Sequence, residues 1–249
     1  MRYLKNILVD EWFGKKLDKT EGKLVFKNGI LDLETEQFQL GFKSEDYISL
    51  TLNYDYGRND FDEEKMGILR GHLKKILNND EEHLEYYLCC IGHAFTGASN
   101  KVKGLYLLMD GTGNCRGDNG KSVFFEILRA VFPQLVGKTD YDLLELGTPK
   151  IHKKLKELDR KRLVFIDEGG SGLLNVKLAK EIANGEEHEN EIMYGTAELL
   201  KIDWMLFICS NELPKIHKKE EAFYNRLKQL QFIRTLIKLG NERLRMRII

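Results

Sequence analysis

The sequence predicts an α/β fold with a mainly parallel sheet, and three apolar runs support this prediction. They read GLYLLMD at 104–110, RLVFIDE at 162–168 and WMLFICSNELP at 204–214. Helical patterns follow the first two runs, GKSVFFEILRAVF at 120–132 and LLNVKLAKEIANG at 173–185. Continuous apolar strands that alternate with helices are typical of a parallel sheet whose two faces are both covered.

A small module of strands and then helices is predicted to precede this core. Residues 20–56 read as short strands and turns, with Asn28 and Gly29 as the turn signal between two β-type runs. Two helices follow, because apolar residues recur at helical spacing between Met66 and Leu77 and again over EEHLEYYLCCIGHAF at 81–95. We therefore expect three parts: this module over 1–100, the α/β core over 101–235 and a basic tail over 236–249.

Composition limits the class of protein more than its function. Of 249 residues, 42% are hydrophobic and 31% are charged, as in an ordinary soluble globular protein. No apolar run reaches the roughly 18 residues that span a bilayer, and the first residues show no secretion signal, so we expect an intracellular protein without a membrane partner. Lys plus Arg and Asp plus Glu both total 39, so a nucleic-acid surface would have to be a local patch.

The cysteines indicate neither a zinc site nor disulfides. Cys89, Cys90, Cys115 and Cys209 include no pair at the C-x-x-C spacing. Cys89 and Cys90 lie in an apolar helical stretch, and Cys209 ends an apolar run. We expect buried, reduced thiols.

The stretch GDNGKS at 117–122 is typical of the end of a phosphate-binding loop. Such a loop needs glycine where the chain turns tightly, so that backbone N–H groups converge on phosphate oxygens, and Gly117 and Gly120 meet this need around Asp118 and Asn119. Lys121 would reach the β- and γ-phosphates of ATP, and the hydroxyl of Ser122 would ligate Mg²⁺. The helix that starts here directs the positive end of its dipole at the same anion.

The residues of this loop allow other interpretations to be compared with phosphate binding. A glycine-rich turn that binds nothing stays open. A calcium loop is excluded because Cys115 stands where glycine is required and Lys121 where glutamate is required. Cys115 also departs from the usual G-x-x-x-x-G-K-S/T pattern. Either the loop is enlarged and uses Gly111 and Gly113, or Cys115 takes the first position at some cost in geometry.

Three further segments carry candidate catalytic residues. Asp167 and Glu168 directly follow an apolar strand, where Asp167 would hold the hydrated Mg²⁺ and Glu168 would orient and deprotonate the attacking water; a solvated turn is the alternative. Asn211 ends the third run and could touch the γ-phosphate or its water, or act only in a turn. Arg226 is a candidate arginine finger, and an exposed arginine on a solvated helix is the alternative.

Taken in order, these motifs resemble those of superfamily 3 helicases. The matching segments are GDNGKSVFFEIL, KRLVFIDEGG, LAKEIANGEEHENEIMYG, WMLFICSNELPKI and EEAFYNR. They look most like the poxvirus-type primase-helicases of nucleocytoplasmic large DNA viruses, which are related to phage and plasmid primase-helicases. FKNGILDLETEQF and SEDYISLTLNYDY are similar to the helper module that precedes the helicase core there. The resemblance covers most of residues 20–232.

The resemblance implies an AAA+-like phosphate-loop NTPase core in a ring, usually a homo-hexamer, that moves along single-stranded DNA by hydrolysing ATP with Mg²⁺. By the same resemblance Asn211 is the sensor amide and Arg226 the finger that enters the neighbouring subunit's site. Residues Gly185 to Tyr194 match the pore hairpin that contacts DNA. The resemblance also implies that the protein acts in viral DNA replication, in the host cytoplasm or at a viral replication site. It leaves open whether a separate primase polypeptide is a partner.

Three departures from that family favour a second hypothesis. Cys115 stands where relatives have glycine, the pore segment is acidic at Glu186, Glu187, Glu189 and Glu191, and the resemblance fades after Phe232 without the expected helical lid. A split or truncated gene product would account for the loss of resemblance after Phe232. The main prediction is an ATP-dependent DNA helicase; the alternative is an ATP-binding assembly subunit or remnant that does not unwind DNA. A small-molecule kinase is disfavoured because no acceptor pocket is identifiable.

Overall fold

The computed structural model describes residues 13, 16–57, 62–98, 101–110, 120–149, 151–190 and 198–232. The chain forms two compact units, Met1–Asp60 and Phe61–Ile249. The sequence placed its first boundary near residue 100 instead.

The first unit contains a three-stranded antiparallel sheet. Its strands are β1 (Lys23–Phe26), β2 (Gly29–Asp32) and β3 (Phe38–Leu40), in the order β1-β2-β3. The Asn28-Gly29 turn between the first two strands is present. Gly29 is required there because a Cβ would lie 2.0 Å from the carbonyl oxygen of Gln39 on β3. A short 3-10 turn follows at Ser44–Asp46.

The second unit begins with two helices, α1 (Glu63–Ile76) and α2 (Glu81–Phe95). Asp62 and Asp80 cap them by accepting hydrogen bonds from the backbone N–H groups of Lys65 and His83. The sequence predicted both helices but grouped them with the preceding strands. In the structure α2 belongs with the α/β core because the buried ring of Tyr87 packs 5.5 Å from the ring of Phe124.

Five parallel strands form the centre of the second unit, which confirms the predicted α/β class. They are β4 (Leu105–Asp110), β5 (Val136–Thr139), β6 (Leu163–Ile166), β9 (Met205–Ser210) and β10 (Leu227–Phe232), in the order β10-β4-β9-β6-β5. The connecting helices are α3 (Lys121–Val131), α4 (Ile151–Glu157), α5 (Val176–Asn184) and α6 (Glu221–Tyr224), with a 3-10 turn at Tyr141–Leu144. This sheet is consistent with a phosphate-loop NTPase core.

Both faces of the sheet are covered. Every residue of β6 is buried, and so are Met205 to Cys209 of β9, although neighbouring residues in a strand point to opposite faces. One face carries aliphatic side chains that pack with Leu178 and Ile182 of α5. The other is aromatic, with the ring of Phe125 on α3 stacked 5.2 Å from that of Phe165. The three apolar runs are therefore β4, β6 and β9.

An antiparallel hairpin of β7 (Glu187–Asn190) and β8 (Glu198–Lys201) lies between α5 and β9. Among the described helices, none combines the length and apolar character needed to cross a bilayer. The expectation of buried thiols holds for Cys90 and Cys209 and is wrong for Cys89, which is exposed on the outer side of α2. Cys115 lies outside the described residues.

Candidate nucleotide site

The candidate site lies at the carboxyl edge of the parallel sheet, where β4, β6 and β9 end. The predicted loop residues Gly117, Asp118 and Asn119 lie outside the described residues. Gly120 is the cap of α3 and has a left-handed backbone, with φ 75°, a conformation that glycine adopts without strain. The chain therefore turns at Gly120 directly into a helix whose N-terminal end is suited to an anion.

Lys121 and Ser122 form the first turn of α3. The side chain of Lys121 is buried, with only 6% of its surface exposed. Burying a lysine is costly unless the ammonium group meets oxygen or negative charge, so this placement fits a phosphate-binding role. Ser122, partly buried, hydrogen-bonds the carboxylate of Asp167, which directly follows β6. Ser122 and Asp167 are thus in contact, although they lie 45 positions apart in the sequence. Both were predicted from the sequence to ligate Mg²⁺.

Asp167 is also paired with a lysine. Nζ of Lys138, on β5, lies 2.9 Å from Oδ2 of Asp167 and 2.8 Å from Oε1 of Glu126 on α3. Partial burial acts to raise the pKa of Asp167, but hydrogen bonds from Ser122 and Lys138, with the charge of Lys138, outweigh it and hold the pKa below its ordinary value of 3.8. Asp167 is therefore ionised at neutral pH, as a cation ligand must be.

The donor set at this edge fits a magnesium ion. Oδ1 of Asp167 is buried and has no hydrogen-bond partner among the described residues. Carboxylate and hydroxyl oxygens are the ligands that Mg²⁺ prefers, and it usually takes only one or two from the protein, the rest being waters and phosphate oxygens. The described residues contain no cluster of three or more His, Cys, Asp and Glu side chains suited to a metal.

Glu168 and Asn211 are brought to neighbouring strand ends by a close backbone contact. Both are exposed. The backbone N–H of Gly169 donates to the carbonyl of Cys209 over 2.8 Å. A Cβ on Gly169 would lie 2.2 Å from Oγ of Ser210, so only glycine lets the segment after Glu168 approach the end of β9 this closely.

Arg226 lies at the opposite edge of the sheet, immediately before the first residue of β10. Its Nε donates to Oδ1 of Asn184, at the end of α5, over 2.7 Å, and its guanidinium also donates to the carbonyl of Ala222. The structure thus does not bring Arg226 together with Lys121 and Asp167 of its own chain. A role at the nucleotide site would have to involve the site of another chain.

The segment matched to the pore hairpin does form a hairpin, with Glu187 paired to Lys201 and Asn190 to Glu198. Glu186, Glu187 and Glu189 are exposed on it. Glu191 and Tyr194 lie outside the described residues. His188 is held at the base of the hairpin, with Nδ1 2.8 Å from Oε2 of Glu181 on α5.

Sequence reasoning missed Lys138 and the closeness of Cys209 to Lys121. Burial raises the pKa of Cys209 to about 12 against the opposing charge of Lys121, so this thiol lies beneath the site as a neutral group. A signal for Lys138 exists, since VGKT places one charge at the end of a short apolar segment, but β5 itself was not predicted.

Three curated viral proteins, each named "Putative helicase", are similar to the chain. One from Acanthamoeba polyphaga mimivirus is 30% identical over 237 residues, covering 94% of this chain and 24% of the relative. One from Invertebrate iridescent virus 6 is 28% identical over 93% of the chain, and one from Invertebrate iridescent virus 3 is 30% identical over 90%, each again covering 24% of the relative. The chain thus spans about a quarter of the length of these relatives.

Solved structures give weaker likenesses. The C-terminal region of NrS-1 is 15% identical with a TM-score of 0.48, covering 67% of this chain and 37% of that one. The JCV helicase is 12% identical with a TM-score of 0.44, covering 70% of this chain and 46% of that one. The fold assignment therefore depends on the strand order observed in this chain. No family model matches the chain.

Proposed function

We propose that this chain is an ATP-hydrolysing module of a viral DNA helicase. The observation that supports it most is the contact of Ser122 with Asp167, beside the buried Lys121, at the carboxyl edge of a five-stranded parallel sheet. Ligands of open α/β sheets bind at this edge. The similarity to large-DNA-virus proteins named as helicases adds the helicase part of the proposal.

In this proposal each residue has a separate task. Lys121 and the N-terminal end of α3 bind the β- and γ-phosphates of ATP, while Ser122 and Asp167 hold Mg²⁺, which neutralises charge on the phosphates when bound. Glu168, exposed one residue after Asp167, orients the attacking water and accepts its proton. Asn211 contacts the γ-phosphate or that water from the end of β9.

Translocation on single-stranded DNA would need a second copy. Arg226 lies away from its own chain's site, so it would serve a neighbour's site in a ring, proposed to be a homo-hexamer. The hairpin of β7 and β8 would contact the DNA strand. A separate primase polypeptide is a further proposed partner.

The exposed acidic hairpin favours a second candidate function. Glu186, Glu187 and Glu189 present negative charge where a DNA-contacting loop should attract phosphates. An ATP-binding assembly subunit of a replication complex, without unwinding, would not need that attraction.

Steady-state ATP hydrolysis by the purified chain, with and without single-stranded DNA, separates the two. The helicase proposal predicts turnover that rises with DNA and is lost in Lys121→Ala. Lys154→Ala, a lysine on α4 outside the site, is the matched control and should keep wild-type turnover. ATP binding with no DNA stimulation would favour the assembly subunit, and tight ATP binding by Lys121→Ala would refute the nucleotide site itself.

A further inference from the structure

Lys138 connects three elements at the carboxyl edge of the sheet. It lies on β5, and its ammonium group contacts carboxylate oxygens of both Glu126 on α3 and Asp167 after β6, at 2.8 Å and 2.9 Å. The same nitrogen lies 5.5 Å from the ring centroid of Phe165 on β6. Two carboxylates and an aromatic face therefore hold this lysine in one place, although about a third of its side chain, 33%, is exposed.

This bridge constrains the carboxylate of Asp167. Lys138 occupies Oδ2, whereas Oδ1 is the buried oxygen without a partner among the described residues. Glu126 is one helical turn beyond Ser122 on α3, so the bridge also ties the Ser122 end of that helix to the end of β6. A carboxylate anchored through one oxygen presents the other in a defined direction.

We propose that Lys138 is a positioning residue for the cation side of the nucleotide site. By anchoring Oδ2 of Asp167 it directs Oδ1, together with the Ser122 hydroxyl, toward the Mg²⁺ that accompanies ATP. This inference rests on the proposed nucleotide site and adds to it a residue that acts through Asp167 without touching the nucleotide. The hydrogen bonds that Lys138 donates to Glu126 and then Asp167 raise the pKa of Lys138, so the lysine keeps its charge.

Two simpler roles for Lys138 predict different behaviour. As a surface ion pair it would contribute little stability and would not affect Mg²⁺. As a mere positive charge near the cation it would repel Mg²⁺, so its removal would lower the Mg²⁺ requirement. Positioning predicts the opposite, a higher requirement. The direction of the change therefore discriminates between these roles.

The test is a Mg²⁺ titration of nucleotide binding by the full chain. Fluorescence of N-methylanthraniloyl-ATP is followed from EDTA to saturating Mg²⁺ for wild type, Lys138→Met and Lys138→Arg. We expect Lys138→Met to raise the Mg²⁺ concentration at half-saturation by about tenfold or more, the usual effect of losing a partner that orients a metal ligand. Lys138→Arg, which can keep both carboxylate contacts, should stay near wild type.

Lys154→Met is the matched control. Lys154 and Lys138 line the same groove of about 490 Å³, and Lys154 is also ion-paired, but with Asp142, which is not one of the residues proposed for the site. An unchanged or lower Mg²⁺ requirement in Lys138→Met would overturn the inference while leaving the nucleotide site intact. Absence of Mg²⁺-dependent binding in the wild type would overturn the proposed function and this inference with it.

Circular dichroism checks that each variant is folded. If Lys138→Met does not fold, Glu126→Gln decides the question, because it removes one of the two carboxylates that hold Lys138 and leaves Asp167 in place. A smaller rise in the Mg²⁺ requirement is expected there. No rise would overturn the inference.

Discussion

Two buried cations at opposite edges of the sheet show how differently a charge can be used in one fold. Arg162, 5% exposed, directly precedes β6 at the amino edge, and its guanidinium donates to the carbonyl of Phe95 at the end of α2. Lys121, 6% exposed, starts α3 at the carboxyl edge, where its charge acts on the thiol of Cys209. Arg162 connects helix α2 to the sheet through a hydrogen bond, and Lys121 lies where a phosphate is proposed to bind.

The difference follows from the ends of the elements that meet at each edge. At the amino edge Arg162 meets the carboxyl end of a helix, whose last carbonyls need donors and attract positive charge. At the carboxyl edge the helix N-terminus supplies positive potential, so Lys121 adds to a site that attracts anions. Charges at the amino edge are thus expected to stabilise the fold, and those at the carboxyl edge to serve ligands.

The largest expected effect comes from removing each cation in turn. Lys121→Met should abolish ATP binding and leave the free energy of unfolding equal or higher, because a buried ammonium group is lost. Arg162→Met should keep ATP binding but lower the free energy of unfolding by about 1–3 kcal/mol, since a buried carbonyl loses its partner. Fluorescent nucleotide binding and urea denaturation measure both. If Arg162→Met is fully folded but does not bind ATP, the proposed division between a structural amino edge and a ligand-binding carboxyl edge is contradicted.

Arg226 tests the division between the two edges, because it is a charge at the amino edge with a proposed catalytic task. Arg226→Ala should lower ATP turnover by about a thousandfold if it acts as a finger in a neighbouring site, with ATP binding retained. Mixing Arg226→Ala with Lys121→Met chains should restore part of the turnover, because some interfaces then combine an intact site with an intact arginine. If Arg226→Ala keeps wild-type ATP turnover, Arg226 has only a structural role, through its hydrogen bond to Asn184.

A smaller effect is expected from Gly169, which sets the distance between the ends of β6 and β9. Gly169→Ala places a methyl group 2.2 Å from Oγ of Ser210 and should cost about 1–3 kcal/mol of stability by overpacking, with a matching fall in turnover as Glu168 shifts. Gly67→Ala is the control, since its Cβ meets nothing within 4 Å on α1 and should stabilise by about 0.5–1 kcal/mol. Thermal unfolding compares the stability of the two variants. A Gly169→Ala protein with wild-type stability would refute the close contact between Gly169 and Ser210.

The smallest effect concerns pH. The folded pKa of Asp167 is lower than its unfolded value, so its ionised form stabilises the fold above pH 3.8, and this contribution is lost as the pH falls through the folded pKa. The stability advantage of wild type over Asp167→Asn should therefore be constant from pH 7 to about pH 5 and shrink below pH 4. Urea denaturation across this range measures it. An advantage that grows toward acid pH would mean that Lys138 and Ser122 do not favour the ionised carboxylate.

The three central strands and the residues at their ends could be predicted from the amino-acid sequence. A strand with neighbours on both sides and helices on both faces must be apolar at every position, and β4, β6 and β9 carry that pattern without interruption. The carboxyl ends of parallel strands meet at one edge, so Ser122 and Asp167 could be paired in advance. Glycine before Lys121 marked the turn into α3.

The edge strands of the sheet and the residues that contact Asp167 could not be predicted, because they depend on packing between distant segments. The outer strands read VGKT and LKQLQF, and since an edge strand has one neighbour and a partly open face, it needs no continuous apolar run. Lys138 reaches partners 12 and 29 residues away, which no local pattern encodes. The same holds for α2, which joins the α/β core because Tyr87 packs against Phe124 and Phe232. Local periodicity reports which residues are buried, whereas the partners that bury them depend on how distant segments of the chain pack together.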